Sequence, residues 1–396
     1  MSKGPNFTGI LRQNTENNKS YLLPTRYEPE TWKAELNGKF QLICKDTVIK
    51  KNVSVSLHTV PYDKISQYAS DVRGLELGVK LAHKNIIAIL NIFSPQMMPE
   101  EFTHFFVVYE YMDYDLSFLK ENRNWLETKN NSSGAERLSF ISYQMFCGID
   151  YLHKAGIAHR DLRPSTIMVN KYCRIKIGSL GNARHFSEIA ELPDSEEAPK
   201  YWAPEIYQEI KKQKKEILDA KGNLENFKPK IPPNLISDIW ALGIILFEIV
   251  GCKIIGNTVF PNLTMMTENA CEIIQNRIAE LPKSVTASEF PNSKHSRLLP
   301  FKGLLMLQNM TTIDPKERFT ARKLLVMDYV HWVRMEGDVT LPPGHCITVG
   351  IDKIDFSPSD WKENLFRMIK DYERNHDTDT FVAPMVYIQE IETKKS

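Results

Sequence analysis

Alternating apolar and polar positions characterise the first third of the chain. The alternation runs through residues 40–43 and 53–57, and residues 105–109 form a compact apolar run. A period of two places successive side chains on opposite faces of a strand, whereas residues 65–82 show the three-to-four-residue spacing of a helix. We therefore expect a β-rich region with a single helix.

The pattern then changes to the spacing of helices. A long apolar stripe recurs at intervals of three and four residues, at Leu138, Ile141, Met145, Ile149 and Leu152. Similar stripes cover residues 237–251, 301–310 and 320–334. A small β-rich region followed by a larger helical region indicates the α+β class.

Three polar segments stand apart from these elements. Residues 1–26 scatter Asn, Thr and Ser among few apolar residues, which is typical of an extended arm. Residues 127–135 form a turn-rich loop, and residues 207–231 contain the run KKQKK. For residues 207–231, an inserted segment, we expect a solvated loop or an exposed helix face, and a phosphate-binding patch is the alternative.

Composition narrows the class of protein. The 396 residues are 42% hydrophobic and 25% charged, and 50 basic against 49 acidic residues give a net charge of +1. These are values of an ordinary globular protein, without the broad positive field that non-specific nucleic-acid binding needs. No two of the six cysteines have the CxxC spacing of a zinc or redox site.

We also expect a soluble, intracellular protein. The opening residues, MSKGPNFTGI, lack the apolar core of a signal peptide. The most hydrophobic stretch, residues 241–250, is too short to span a bilayer and contains Glu248, so a buried helix is expected there.

Four short motifs carry most of the chemical information. Residues 159–166 read HRDLRPST directly after the long helix, where the protein-kinase catalytic loop reads H-R-D-L-x-x-x-N. The other three follow as YWAPE at 201–205, SDIW at 237–240 and DPKERF at 314–319. Their order and spacing are similar to those of a protein-kinase C-lobe.

Further segments resemble the mitogen-activated protein (MAP) kinases, most of all the c-Jun N-terminal kinase type. They are HKNII at 83–87, FSPQ at 93–96, YQM and CGI within 143–149, AGIAHRDL at 155–162 and SDWKENL at 359–365. The resemblance covers roughly residues 20–375 and is poorest in the activation segment and in residues 207–231.

This resemblance implies an α+β, bilobal protein-kinase-like fold, with a small β-rich N-lobe that holds one helix and a larger helical C-lobe. After the arm over residues 1–26, we expect the N-lobe at 27–112 and the C-lobe at 113–335. Residues 336–396 are expected to pack back on the N-lobe and then to end in a tail.

The phosphate-binding part of the N-lobe departs from the kinase pattern. The G-x-G-x-x-G pattern falls on residues 36–41, where only Gly38 matches. In the V-A-I-K motif Ser56 holds the Lys position, and Ser54 lies two residues before it in the implied nucleotide pocket. Gly74 holds the position of the Glu that pairs with that Lys, so both halves of the ion pair are absent.

The metal-binding positions are changed as well. Ser179 replaces the Asp of the D-F-G motif, and Thr166 replaces the catalytic-loop Asn. Mg²⁺ prefers anionic oxygen, so two neutral hydroxyl groups are poor replacements and no metal site is expected. Asp161, the base that orients the acceptor hydroxyl, is kept, together with Arg163 in place of the usual Lys.

Structural motif positions are retained. The resemblance implies that Glu205 and Arg318 form a buried ion pair and that Asp238 caps the backbone of the catalytic loop. A retained scaffold with altered chemistry is the pattern of a pseudokinase.

The hinge that holds adenine in the family falls on Tyr109, Glu110 and Met112, with Tyr109 as a bulky gatekeeper. We expect weak or absent ATP binding there. Lys45, on the second strand, lies where kinases without the usual Lys place a replacement, and an ordinary exposed strand lysine is the alternative.

The activation segment has no Thr-x-Tyr motif within residues 191–200, unlike that of activatable MAP kinases. Glu196 and Glu197 could imitate phosphate charge near Arg160, and an acidic solvated loop is the simpler interpretation. Candidates for an acidic docking cluster near the C-terminus are Asp352, Asp355 and Asp360, and an ordinary polar loop explains these residues equally well.

Two hypotheses follow. The first is a MAP-kinase-like pseudokinase that acts by protein binding, as a scaffold, decoy or allosteric regulator in a phosphorylation pathway. Its partners would be upstream kinases, substrates or docking-motif peptides, without a cofactor, a nucleic acid or a membrane. The alternative is an atypical serine/threonine kinase that uses ATP, Mg²⁺ and Lys45. Both place the protein in the cytoplasm, with the nucleus as a second compartment.

Overall fold

In the computed structural model the chain divides into two compact units. The sheet unit comprises residues 1–112 and 350–396, and the helical unit comprises residues 113–349. The structure describes residues 9–13, 20–34, 40–62, 64–122, 124–127, 134–193, 197–225, 227–250, 299–333 and 356–376.

Both units contain helices and strands within the described residues. The helices are α1 (Ile65–Lys80), α2 (Leu116–Glu121), α3 (Asn124–Glu127), α4 (Gly134–Lys154), α5 (Pro204–Asp219), α6 (Leu235–Val250), α7 (Phe301–Met310), α8 (Ala321–Leu324), α9 (Asp328–His331) and α10 (Pro358–Asn375). The strands are β1 (Gly9–Gln13), β2 (Ser20–Pro24), β3 (Tyr27–Ala34), β4 (Phe40–Asp46), β5 (Lys51–Thr59), β6 (Ile89–Phe93), β7 (His104–Glu110), β8 (Tyr114–Asp115), β9 (Ile157–Ala158), β10 (Ile167–Val169), β11 (Ile175–Ile177), β12 (Arg184–His185), β13 (Ala190–Glu191) and β14 (Lys230–Ile231).

Strands β1 and β2 form an antiparallel hairpin near the N-terminus. This differs from the extended arm that the sequence predicted over residues 1–26. On β2, Tyr21 and Leu23 are both buried and belong to an apolar cluster of the sheet unit. These two alternating side chains give the strand a buried side. The polar composition of residues 1–26 did not indicate this strand.

The main sheet of the sheet unit has five antiparallel strands in the order β3-β4-β5-β7-β6. Apolar side chains cover both of its faces. Val53, Val55 and Leu57 of β5 belong to one cluster, and helices α1 and α10 contribute to a second cluster with strands β6 and β7. The whole of β5 from residue 53 to residue 58 is therefore buried.

Helix α10 is fixed to the sheet unit by apolar and polar contacts. Trp361, Leu365 and Ile369 are buried against α1 and β6. Glu373 accepts a hydrogen bond of 2.7 Å from the Ser94 amide, and burial raises the pKa of this carboxyl while nearby Lys370 partly opposes the change. The helix is thus held at both its apolar stripe and its last turn.

Asp360, one of the acidic docking candidates, has a capping role at the N-terminus of α10. The Asp360 carboxylate accepts hydrogen bonds from the Ser357 amide and hydroxyl groups, which lowers its pKa, in a reciprocal capping arrangement. Asp352 and Asp355 lie outside the described residues.

The helical unit is organised around the long helix α4 and the apolar helix α6, in which 15 and 12 residues respectively are buried. Short strands also pair in this unit: β9 pairs with β12, and β10 pairs with β11 and with β8, which precedes α4 in the chain. Within the described residues, no helix combines the length and the apolar character that a bilayer crossing requires. Together with the sheet unit, this arrangement confirms the predicted α+β class, with one β-rich unit and one helical unit.

We expect Leu365→Ala to destabilise the sheet unit by about 2–5 kcal/mol, because it opens a cavity under α10. Leu365 is fully buried, whereas the Arg367 side chain on the same helix is 63% exposed. The control Arg367→Ala should stay within about 0.5 kcal/mol of the wild type in urea unfolding. Equal effects of the two variants would contradict this packing.

Candidate active site

The catalytic loop lies between β9 and β10 and is fixed by the buried carboxylate of Asp238. One oxygen accepts hydrogen bonds from the His159 amide (2.8 Å) and from His153 Nε2 (3.0 Å), and the other accepts one from the Arg160 amide (2.9 Å). Burial alone would raise the pKa of Asp238, but its bonds to His153 and the Arg160 amide and the two nearby histidines outweigh burial and lower it. Asp238 therefore stays ionised and caps the loop.

His159 connects this loop to the strand that precedes the metal-motif position. Its Nε2 donates to the Gly178 carbonyl oxygen at 2.8 Å, and its Nδ1 lies 3.3 Å from the Asp161 amide that donates to it. The ring is fully buried. Both ring nitrogens are consequently used to hold the backbone around Asp161.

The carboxylate of Asp161 faces two side chains of its own unit. Asn182 Nδ2 donates to Oδ2 at 3.0 Å, and Arg163 Nε lies 3.3 Å from Oδ1 at an ion-pair distance, without hydrogen-bond geometry. Burial raises the pKa of Asp161, although Arg163, His159 and Asn182 each act to lower it. The sequence prediction missed Asn182, for which the only signal was an amide side chain immediately after Gly181.

Thr166 uses its hydroxyl group inside the loop. Oγ1 accepts a hydrogen bond from the Arg163 amide at 3.1 Å and lies 2.9 Å from the Arg163 carbonyl and 3.2 Å from the Asp161 carbonyl, to which it can donate. The residue is buried. Its single proton and one of its two acceptor lone pairs are therefore used by backbone groups.

Ser179 follows β11 and lies next to this loop, because the Gly178 amide donates to the Thr166 carbonyl at 2.9 Å. Its backbone is in the left-handed region, with φ 58° and ψ 47°, and its side chain is exposed. Asp161 is thus the one carboxylate among the three residues at family metal or base positions. Across the described residues there is no group of three His, Cys, Asp or Glu side chains that could hold a metal ion. This donor set does not fit Mg²⁺.

On β5 a polar side carries the position of the missing lysine. Ser54 and Ser56 are both buried, and Gln41 on β4, which is opposite Ser56 in the register, donates from Nε2 to Ser54 Oγ. Sequence reasoning did not assign Gln41 this contact. A neutral amide and two hydroxyl groups therefore occupy the part of the strand where kinases carry a cation.

Lys45 does not lie beside Ser56. The register pairs Lys45 with Asn52, four residues along β4 from the partner of Ser56. At about 3.3 Å per residue this is a separation of about 13 Å along the sheet, beyond the length of a lysine side chain. Lys45 is exposed, so in the sheet unit it is a surface strand lysine.

Strand β5 and helix α1 are nevertheless joined by a polar contact. His58 Nδ1 lies 3.0 Å from Asp71 Oδ2, and the Tyr62 hydroxyl donates to the same oxygen. His58 is two residues beyond Ser56, and Asp71 is three residues before Gly74, so each partner is on the same side of its element as the family position it replaces. The strand–helix connection is present at a new place.

The hinge positions lie at the end of β7. Tyr109 is opposite Ser54 in the register and packs against the cluster that α1 and α10 share. Tyr109, Glu110 and Met112 are all half-buried. Gly38, the one glycine that matches the phosphate-loop pattern, lies outside the described residues.

The activation segment does not pair Glu197 with Arg160. Glu197 accepts a hydrogen bond from Arg163 at 3.0 Å, whereas Arg160 NH2 donates to the carbonyl oxygens of Ala190 (3.2 Å) and Glu191 (2.7 Å). The hypothesis that Glu197 imitates a phosphate near Arg160 is therefore wrong, because backbone carbonyl groups take that place. Glu196 lies outside the described residues.

A buried ion pair supports the segment that follows. Arg318 NH1 and NH2 donate to the two Glu205 oxygens at 2.7 and 2.9 Å, and the guanidinium carbon is 5.2 Å from the Trp240 ring centroid. Its Nε also donates to the Thr312 carbonyl at 2.9 Å. This two-point geometry fixes the start of α5 relative to α6.

Comparison with known proteins gives two kinds of match. A protein kinase domain model matches residues 37–221. The stress-activated protein kinase jnk-1 of Caenorhabditis elegans is 30% identical over 369 residues, which is 86% of this chain and 72% of that protein. The stress-activated protein kinase JNK of Drosophila melanogaster is 28% identical over 367 residues, which is 86% of this chain and 90% of that protein.

Asp71→Ala should destabilise the protein by about 1–3 kcal/mol, because it leaves His58 and the Tyr62 hydroxyl group without their acceptor. Asp71→Asn keeps an acceptor oxygen and should cost less. Chemical denaturation of both variants tests the contact. Two variants that unfold like the wild type would show that the contact contributes nothing.

Asp161→Asn should raise the thermal unfolding midpoint near neutral pH. Because burial raises the pKa of Asp161, the carboxyl group stabilises the folded chain only while protonated, and that stability is lost as the pH rises through the folded-state pKa. The advantage of the variant should therefore shrink toward the ordinary Asp pKa of 3.8. A variant less stable than the wild type at neutral pH would contradict the prediction.

Proposed function

Because the chain belongs to the protein kinase family and is a MAP-kinase-like signalling protein, we propose that it is a pseudokinase that acts by binding proteins of a kinase cascade. It serves as a scaffold, decoy or allosteric regulator, and its partners are upstream kinases, substrates or docking-motif peptides. It acts without ATP or Mg²⁺ as a cofactor, in the cytoplasm and also in the nucleus.

The observation that carries this proposal is the replacement of four charged or metal-binding positions by neutral groups. They are Ser56, Gly74, Thr166 and Ser179. Phosphoryl transfer depends almost entirely on positioning and on stabilising phosphate charge with cations. One such preorganised group is worth roughly 3–4 kcal/mol in the transition state, and although these losses do not add, losing all four removes most of the rate.

The contacts of Thr166 and of polar residues beside the replaced positions support the same conclusion. Thr166 is bonded to the backbone of its own loop, and Asp161 is bonded to Asn182. Gln41 is bonded to Ser54. These polar groups make internal hydrogen bonds that a nucleotide or a metal would have to break.

The retained residues are those that keep the fold. Asp238 caps the catalytic loop, and the Glu205–Arg318 pair joins the start of α5 to the loop between α7 and α8. Breaking such a buried pair on one side costs about 3–5 kcal/mol, so its retention is explained by stability alone. A folded kinase scaffold that lacks the charged groups of the family still presents surfaces for protein partners.

The second candidate is an atypical serine/threonine kinase that transfers the γ-phosphate of ATP to protein hydroxyl groups. The retained Asp161 and Arg163 favour it, since they lie 3.3 Å apart in the catalytic loop. The position of Lys45 argues against it, because the register separates this lysine from Ser56.

Thermal unfolding of the full chain with ATP, in the presence and absence of Mg²⁺, separates the two candidates. A protein that binds Mg·ATP gains about 2.7 kcal/mol at 100 times the Kd, which shifts the midpoint by several degrees. We expect no Mg²⁺-dependent shift. The variant carrying Ser56→Lys, Gly74→Glu, Thr166→Asn and Ser179→Asp is the matched comparison, in which the missing groups are restored.

A radiolabel transfer assay completes the test. The wild type should incorporate no more label into a protein substrate than Asp161→Asn does. Ordinary turnover that Asp161→Asn abolishes would establish the second candidate instead.

A further inference from the structure

We propose that the inserted segment, residues 207–231, holds residues 190–192 and 199–202 of the activation segment in one conformation and so takes the place that a phosphate group has in activatable kinases. This inference rests on the proposed function, whose signalling surfaces it would keep in a constant form. In many kinases the activation loop becomes ordered when a phosphorylated residue forms new pairs with arginine. In this chain, contacts between described residues of the protein itself order these parts of the activation segment.

The first contact is a short antiparallel ladder between the two segments. Strand β13 of the activation segment pairs with β14 of the inserted segment, with Ala190 opposite Ile231 and Glu191 opposite Lys230. The Leu192 amide extends the ladder with a 3.3 Å bond to the Pro229 carbonyl. A two-residue strand pair is marginal by itself, so other contacts must hold its two strands in place.

The second contact ties β14 to helix α5. Gln213 Nε2 donates to the Lys230 carbonyl at 2.8 Å, and the Lys230 amide donates back to Gln213 Oε1 at 3.3 Å. The same Nε2 also lies 3.1 Å from Glu209 Oε1. This reciprocal pairing bonds Lys230 of β14 to Gln213 of α5, so β14 is held by α5 as well as by β13.

The third contact joins the inserted segment to a later part of the activation segment. The Tyr207 hydroxyl donates to the Pro199 carbonyl, and the Tyr207 ring lies 5.8 Å from that of Trp202. Helix α5 is itself anchored at its start by the pair between Glu205 and Arg318. Residues of the inserted segment therefore bind the activation segment at two separate places.

Arg160 completes the arrangement from the side of the catalytic loop. Its guanidinium donates to the carbonyl oxygens of Ala190 and Glu191, so β13 is bonded both to the catalytic loop and to β14. Ala190 and Ile231, which are opposite each other in this strand pair, are both buried. The exposed pair between Lys228 and Glu191, at 3.6 Å, adds little.

The exposed lysines of α5 do not take part in these contacts between the inserted segment and the activation segment. Lys212 and Lys215 are exposed, and the described contacts to β14 come from Gln213 instead. The same helix also provides a matched control for Gln213. Gln208 is a second glutamine on α5, and it is exposed.

Hydrogen–deuterium exchange of the full chain, read by mass spectrometry over residues 186–193, tests the proposal. Gln213→Ala should speed exchange of these amides about fivefold, the effect of losing roughly one hydrogen bond of net stability. Gln208→Ala should leave the rate within about twofold of the wild type. Tyr207→Phe, which keeps the ring and the fold, should speed exchange over residues 197–202.

Treatment with a protein phosphatase before the exchange measurement tests the replacement of phosphate. Exchange over residues 186–193 should be unchanged. The proposal is overturned if phosphatase treatment speeds exchange tenfold, if these amides exchange at unprotected rates in the wild type, or if Gln213→Ala behaves like Gln208→Ala. None of these measurements involves ATP or label transfer, so their failure leaves the pseudokinase proposal untouched, and an active enzyme would leave this inference untouched.

Discussion

The buried carboxylate of Asp238 is the interaction on which the catalytic loop depends. Two consecutive amides of the loop, those of His159 and Arg160, converge on it, and the Arg160 backbone adopts φ 69°, which is unfavourable for a residue with a side chain. The same geometry sets the direction of Asp161 and of the Arg160 guanidinium. One carboxylate in α6 thereby positions both the retained base and the donor that holds β13.

The two positions at which the family carries a Lys–Glu ion pair are both neutral in this chain, so neither position holds an unpaired buried charge. Ser56 and Gly74 are both neutral, so neither leaves a lone charge in the sheet unit, and an unpaired buried charge would cost several kcal/mol. The connection between strand and helix is kept through His58 and Asp71. The replacement of these two charged residues by neutral ones is thus compatible with a stable fold.

Sequence reasoning predicted the fold class and the family, and both are confirmed, because they depend on periodicity and on four motifs in a fixed order. The pseudokinase assignment and the boundaries of the lobes stay predictions. The contacts that the sequence missed link residues distant in the chain: Gln41 with Ser54, His58 with Asp71, and Asn182 with Asp161. Spacing along the chain carries no information on which polar side chains meet across elements. Strands of two residues, such as β13 and β14, have no periodicity to read.

Helix α10 has a consequence for biosynthesis. The sheet unit is made of two pieces of chain, residues 1–112 and 350–396, and the residues of the helical unit are translated between them. Phe102 and Phe366, whose rings lie 5.2 Å apart, can meet only after the residues of the helical unit have been translated. The usual order, in which the N-terminal part of a protein folds first, is therefore reversed at this surface. A nascent chain that does not yet contain Pro358–Asn375 carries an uncovered apolar face on the part of the sheet unit that is made first.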